Sequence, residues 1–410
     1  MTSQVETGKK KFFYGYVIVA LGLFINMVLG GTLYTFSVFF EPLSTEFGWT
    51  RAATSGAFSL YMLLHGVLYI FTGKMNDKLG PRIVMSLCGL LMGLGYMMMS
   101  LTGEMWHIYL FYGVIIAVGM SGGYVPLTST VTRWFTGNSK RGLMVGISVA
   151  GVGLGTMIFP PLARWLIDSF GWKTSYVVIG IAVLVIIMSC AQFLKRAPEQ
   201  VITNSDNSSS IDTQQQGFSL RKAVKTRQFW LITFAYFGFG LILQAIMVHI
   251  VMHVTGLGIS ATTAATMFIV LGGSSVCARI SLGSLADRIG NRAIVIGSFI
   301  LLTVAVLWLF IAKEMWAFYI FAAVFGFGYG GMVASQSPIV ADLFGMRSHG
   351  VILGVIVSTI TFGSAVGPVM AGAIYDASSS YTAAFIICVV FAVMGIILSL
   401  LLRPVSNGGE

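Results

Sequence analysis

The chain has 410 residues, of which 56% are hydrophobic and only 9% are Asp, Glu, Lys or Arg, against about a quarter charged in a soluble domain. So few charges cannot cover a water-facing surface, which excludes a soluble enzyme, a disordered protein and a nucleic-acid binder. The net charge of +10 therefore has to be explained by where the basic residues fall along an apolar chain.

At about 20 apolar residues per crossing, twelve spans are predicted: 13–40, 52–75, 82–101, 106–134, 141–168, 172–195, 226–254, 261–285, 291–312, 316–341, 347–376 and 381–403. With the N-terminus placed inside, 19 Lys and Arg fall on the inner side. Only Arg51, Arg164, Lys173 and Lys313 fall outside, and Arg279 is left within a span. This asymmetry accounts for the net charge and puts both termini in the cytoplasm of a cell-membrane protein. The N-terminal MTSQVETGKKK shows no small-residue cleavage site, so the first span is expected to stay. Residues 197–220 are rich in Ser, Asn, Gln and Asp and read as a linker. The expected organisation is one bundle over 1–195, a cytoplasmic linker over 196–225 and a second bundle over 226–410. The four cysteines lie inside apolar runs with no CxxC pair, so neither a metal nor a disulfide framework is expected.

The halves repeat. Gly73-x-x-x-Asp77-Lys78-x-Gly80-x-Arg82 returns as Gly283-x-x-x-Asp287-Arg288-x-Gly290-x-Arg292, and Gly146, Gly155, Pro160 and Asp168 return as Gly354, Gly363, Pro368 and Asp376. Two parallel halves of six helices around a central site form the architecture of one large class of secondary transporters. The predicted fold is therefore an all-α membrane protein of twelve transmembrane helices in two pseudo-symmetric six-helix bundles. Gly151-x-Gly153-x-Gly155 and Gly326-x-Gly328-x-Gly330 superficially resemble nucleotide loops, but they follow no strand and read as helix-packing glycines. Without a Walker A loop, catalytic triad or zinc pattern, neither an enzyme nor a cofactor is expected.

Arg279 is the one Lys or Arg well inside a predicted span, with no acid at i±3 or i±4. An arginine there costs at least ~2.5 kcal/mol on insertion scales and usually has a function. A guanidinium fork lacking a protein partner suits a substrate carboxylate. The competing reading is snorkelling toward Gly283, only ~6 Å nearer the cytoplasm. Ser275 lies on the same helix face. Asn26, Gly30 and Tyr34 recur on one face of span one, and Tyr329, Tyr124 and Gln244 are further polar candidates. His249 and His253, at i, i+4 near the outer end of span seven, are candidates for carrying a proton. His65 reads as a packed, hydrogen-bonded residue. One buried positive charge argues for a monoanion.

The GxxxDxxGxR pair resembles the inner loops of the major facilitator superfamily. That resemblance implies a conformational latch formed by Gly73, Asp77, Arg82, Gly283, Asp287 and Arg292. Tyr14-Gly15-Tyr16, Lys140-Arg141-x-Leu143-Met144-x-Gly146-Ile147-Ser148-x-Ala150-Gly151 and Ala278-Arg279-x-x-x-Gly283 are similar to signatures of the monocarboxylate transporter family in spans one, five and eight. The resemblance covers essentially the whole chain and marks it as a bacterial-type relative of lactate and pyruvate transporters. It implies proton-coupled symport of a small monocarboxylate by a monomer in the lipid bilayer, with Arg279 as the carboxylate ligand and Val145 against the alkyl part. The sequence departs from the pattern where Ser275 replaces an Asp and Tyr34 replaces a Lys. The alternative is an exchanger of the oxalate/formate antiporter type, whose span eleven carries a second basic residue absent here.

Overall fold

The computed structural model describes residues 13–135, 141–197, 218–345 and 348–403. Among the described residues, ten helices are long and apolar enough to cross a membrane. One of them, Leu143–Phe193, is two spans separated by Gly171 (φ 75°, ψ 161°). A further helix, Arg51–Leu79, is 29 residues long, or ~43 Å, which exceeds the ~30 Å hydrocarbon core. It is less apolar than the rest because Ser55, Ser59, His65, Thr72 and Asn76 are buried in it. The twelve helices are α1 (Gly15–Phe47), α2 (Arg51–Leu79), α3 (Pro81–Met99), α4 (Met105–Trp134), α5 (141–170), α6 (172–193), α7 (Arg227–Thr255), α8 (Ala261–Ala265 continuing as Met267–Ile289), α9 (Asn291–Trp308), α10 (Met315–Phe344), α11 (His349–Ser378) and α12 (Thr382–Leu400). α4 is irregular, with a π-helical stretch Tyr109–Ile116 and a break before Tyr124.

The repeat extends to the backbone. α2 and α8, α3 and α9, and α4 and α10 each begin 210 residues apart, at Arg51/Ala261, Pro81/Asn291 and Met105/Met315. Left-handed residues recur in the same way: Gly48 (63°) with Gly258 (87°), Gly80 (88°) with Gly290 (85°), and Gly171 (75°) with Ser379 (54°). Gly80 and Gly290 make the sharp entry into α3 and α9, a conformation open to glycine at no steric cost. The motif arginines then bond within their own halves. Arg82 donates Nε and Nη2 to Gln192 Oε1 (3.0 and 2.6 Å). Arg292 donates to the carbonyls of Ser399 and Leu400. The remaining latch candidates Gly73, Asp77 and Asp287 have side-chain positions outside the described residues, and Gly283 faces open space.

Inside each half, α5 lies on α1 and α11 lies on α7 through glycines that touch backbone. A Cβ on Gly155 would meet Met27 O and stand 2.6 Å from Gly31 N, and one on Gly363 would meet Phe237 O and stand 3.0 Å from Leu241 N. Gly153 faces Val276 across the halves, and Gly326 and Gly330 face the α8 backbone, so both glycine runs serve packing. By contrast, Gly146 and Gly354 face open space.

The halves meet mainly along two seams, α2 with α11 and α5 with α8, with α1 also touching α7 between them. On the face distal to the termini each seam is closed by an aspartate from one half at a helix start of the other. Asp376 accepts from the first two amides of α2, Arg51 N to Oδ1 (2.9 Å) and Ala52 N to Oδ2 (2.8 Å). These are two of the amides that a helix leaves unsatisfied at its positive end. Arg51 adds a bond from Nη1 to Tyr381 Oη (2.5 Å) and lies 3.4 Å from the Tyr375 ring centroid. At the other seam Asp168, paired with Arg164 (2.5 Å), accepts from Thr262 Oγ1 (2.7 Å) at the start of α8.

Two outcomes are expected. Gly155→Ala should cost about 1–3 kcal/mol, as overpacking does, and lower the unfolding temperature in detergent. Gly354→Ala should leave it unchanged or raise it, alanine being the better helix former; equal effects would contradict the packing described. For the seam, Asp376→Ala removes two charge-assisted bonds worth roughly 1.5–3 kcal/mol each. Spin labels at Gly103→Cys and Lys313→Cys, both exposed on the distal face, should then report a longer distance than in the otherwise unchanged chain.

Candidate functional site

Between the seams lies a cavity of about 200 Å³, smaller than the ~300–1,000 Å³ of drug-sized sites. Its distal end is closed by Tyr34 of α1 and Tyr329 of α10, whose hydroxyls bond at 3.2 Å. Tyr34 stacks on Phe268 and Tyr329 on Phe239, which fixes both rings. From there the lining continues past Arg279 to Tyr69, Tyr124, Gln336 and Val357, in the halves of α2, α4, α10 and α11 nearer the termini. Most of the wall is apolar, with Leu29, Leu33, Met62, Val149 and Val152 among the contributors.

Arg279 lies ten residues before Ile289, the last residue of α8, or ~15 Å along the axis. Its side chain does not run to the membrane surface. Nη1 donates to Val149 O of α5 at 3.1 Å, and the guanidinium carbon stands 5.3 Å from the Tyr329 ring centroid. Nε and Nη2 are buried without a hydrogen-bond partner, and the ion pairs among the described residues lie elsewhere, at Arg164 and Lys173. Nε–H and Nη2–H form one edge of the guanidinium. Two parallel donors on one edge match the two oxygens of a carboxylate. Leaving a charged donor buried and unsatisfied costs more than ~1–3 kcal/mol, so the edge strongly favours an anionic acceptor. Two other groups on the wall have unpartnered atoms, namely both ring nitrogens of His65 and Gln244 Oε1.

The model of the Major Facilitator Superfamily matches residues 19–291 and 276–410. The chain belongs to the major facilitator superfamily. Within it, the chain is similar to monocarboxylate transporter 13 of Rattus norvegicus, 25% identical over 386 residues, covering 93% of this chain and 87% of that one. It is similar to monocarboxylate transporter 7 of Homo sapiens at 22% identity, covering 96% and 87%. The uncharacterized MFS-type transporter YhjX of Escherichia coli is 24% identical, covering 85% of each chain. Among solved structures, a bacterial homolog of the human lysosomal transporter Spinster, inward-facing and unoccupied, superposes with TM-score 0.73 at 16% identity, covering 96% of both chains. The same protein in its inward-facing occupied form gives 0.71 at 15% identity. The fold is that of the superfamily, and its members are transporters, not enzymes.

In this major facilitator chain the cavity brings together Arg279, Tyr34 and Tyr329, with Asn26, Gly30, Tyr124 and Gln244 beside them. It does not bring the other three expected residues to the wall. Ser275 is fully buried where α8 packs on Gly330 of α10. Val145 lies one turn from the cavity, and Val149 and Val152 take its place. His249 sits in the distal seam, bonded to Tyr381 Oη (3.0 Å) and Pro368 O (2.9 Å). His253 packs beside it against Phe318 and Phe385. His65, expected to be packed, is held between Tyr61 and Tyr69 and also borders the cavity. The sequence signal for the seam residues was the Asp168/Asp376 repeat, whose role becomes readable only once each aspartate meets a helix start of the opposite half.

Proposed function

We propose that this chain carries short monocarboxylates of the lactate or pyruvate kind across the cytoplasmic membrane, each with one proton, by alternating access. The observation that carries this reading is the free Nε–Nη2 edge of Arg279 at the centre of the molecule. The names of the relatives and the small volume of the cavity support it. A single unpaired cation favours a monoanion. The apolar wall then favours a short chain, and the tyrosine hydroxyls and Gln244 suit a hydroxyl or keto group.

Charge sets the stoichiometry. The empty cavity carries one positive charge. An anion alone cancels it, and an anion with a proton restores it. Symport of one of each therefore moves the same charged unit in both directions through the low-dielectric interior. Alternating access follows from the seams. The aspartate-closed distal face and the cavity reaching toward the termini describe one state, and the other requires both seams to open. The bundles 1–195 and 226–410 are the moving bodies and 196–225 the connection between them. The GxxxDxxGxR loops latch the opposite state, and the termini are cytoplasmic. The cavity lies wholly within one chain, so a monomer suffices.

Uptake of radiolabelled L-lactate into proteoliposomes with an inward proton gradient tests this reading. Wild-type uptake should collapse with protonophore. Arg279→Ala should lose at least ~30-fold, because breaking a buried charge pair costs about 2–5 kcal/mol. Arg279→Lys should recover only part, since it keeps the charge and loses the fork. Uptake that ignores the gradient and needs preloaded carboxylate would replace symport by exchange.

A further inference from the structure

We propose that His65 is the group that carries the proton. This rests on the carboxylate reading above and names the residue that completes it. His65 is 7% exposed and borders the cavity, and neither ring nitrogen has a hydrogen-bond partner. Its ring is gripped between Tyr61 (centroids 5.4 Å, 14°) and Tyr69 (4.3 Å, 52°) of its own helix, so stacking fixes its orientation and leaves the nitrogens unbound. The next residue, Gly66, lies against Thr361 of α11. His65 therefore stands at the α2–α11 seam, whereas Arg279, bonded to Val149, stands at the α5–α8 seam.

The other charged or titratable groups around this space are Tyr61, Tyr69, Tyr34, Tyr124, Tyr329 and Arg279. The lining residues from α5, α7 and α11 carry no titratable group. Among the described lining residues His65 is thus the one imidazole, the side-chain type used most often to carry protons. The two histidines favoured by sequence position are ruled out by geometry, because His249 has both nitrogens bonded in the distal seam and His253 lies beside it among aromatic rings.

The coupling is electrostatic. A proton on His65 in the empty cavity would put two positive charges into one small, largely apolar space. A carboxylate on Arg279 cancels one of them, so anion and proton each favour the other's binding, and by linkage the effect is reciprocal. The proton comes from water on the side to which the cavity is open, binds one imidazole nitrogen, and returns to water on the other side. No bond of the substrate is made or broken.

The test uses proteoliposomes of wild type, His65→Gln and His65→Asn, with L-lactate as probe. Under a gradient of one pH unit, wild type should accumulate lactate about tenfold, the ratio equivalent to one proton per anion. Both variants should fall to near-equal concentrations inside and out while keeping lactate–lactate exchange within about threefold. Tenfold accumulation retained by both variants overturns the assignment and leaves the proton travelling on the acid itself. Wild type that neither accumulates nor exchanges lactate overturns the substrate reading, and this one with it. If neither variant folds, ¹⁵N-histidine spectra of the chain with its other four histidines replaced decide the matter. Lactate must convert the remaining imidazole to imidazolium, and an unchanged spectrum overturns the proposal.

Discussion

The molecule is organised around one positive charge that has no acidic partner inside a membrane. Arg279 is held in place by Val149 O and by the face of Tyr329, and these contacts orient the guanidinium without neutralising it. A buried pair with Asp or Glu would have been self-sufficient and inert. On the proposed reading, the unpaired fork leaves the interior incomplete until an anion arrives, and that incompleteness is the source of selectivity. The small cavity, its apolar wall and the tyrosine cap then limit which anions complete it.

The second constraint, on the proposed reading of alternating access, is that this charge lies between bodies that have to separate. Large apolar interfaces on both sides of the cavity would lock them together. Instead the distal seams are held by a few polar contacts on glycine-lined surfaces. Asp376 sits on the amides of α2, and Asp168 on Thr262 at the start of α8. Gly372 lies directly against the backbone of Arg51 and Ala52, and Gly272 against Gly153 O. Such contacts form and break with modest cost while close approach still excludes water. Within each half, Gly155 on α1 and Gly363 on α7 make similarly close backbone contacts.

Much of this was legible in the sequence because lipid leaves few options. Twelve apolar runs, a charge asymmetry and repeats at 208 and 210 residues determine the architecture, and the structure carries the same repeats down to paired left-handed residues. Arg279 stood out because a lone charge in a span is expensive. What sequence did not resolve is which way each helix faces. Val145 and Val149 are one turn apart on α5, and only the bundle decides which touches the cavity. Ser275 shares a face with Arg279 on a helical wheel, yet α10 approaches so closely at Gly330 that the serine is sealed off. His249 and His65 face differently from their sequence positions for the same reason: the first lies in the distal seam and the second at the cavity. The first meets a tyrosine and a carbonyl from distant helices, and the second meets tyrosine rings and the cavity. α2 shows a further effect. The polar residues that bring it to the seam and the cavity are the ones that make it the least apolar span.

The most direct measurement is an experimental structure of the chain with L-lactate bound. If the free edge of Arg279 organises the site, density for the carboxylate will lie on Nε and Nη2 with the Val149 contact preserved. An anion bound elsewhere, with that edge still unoccupied, would contradict the central claim.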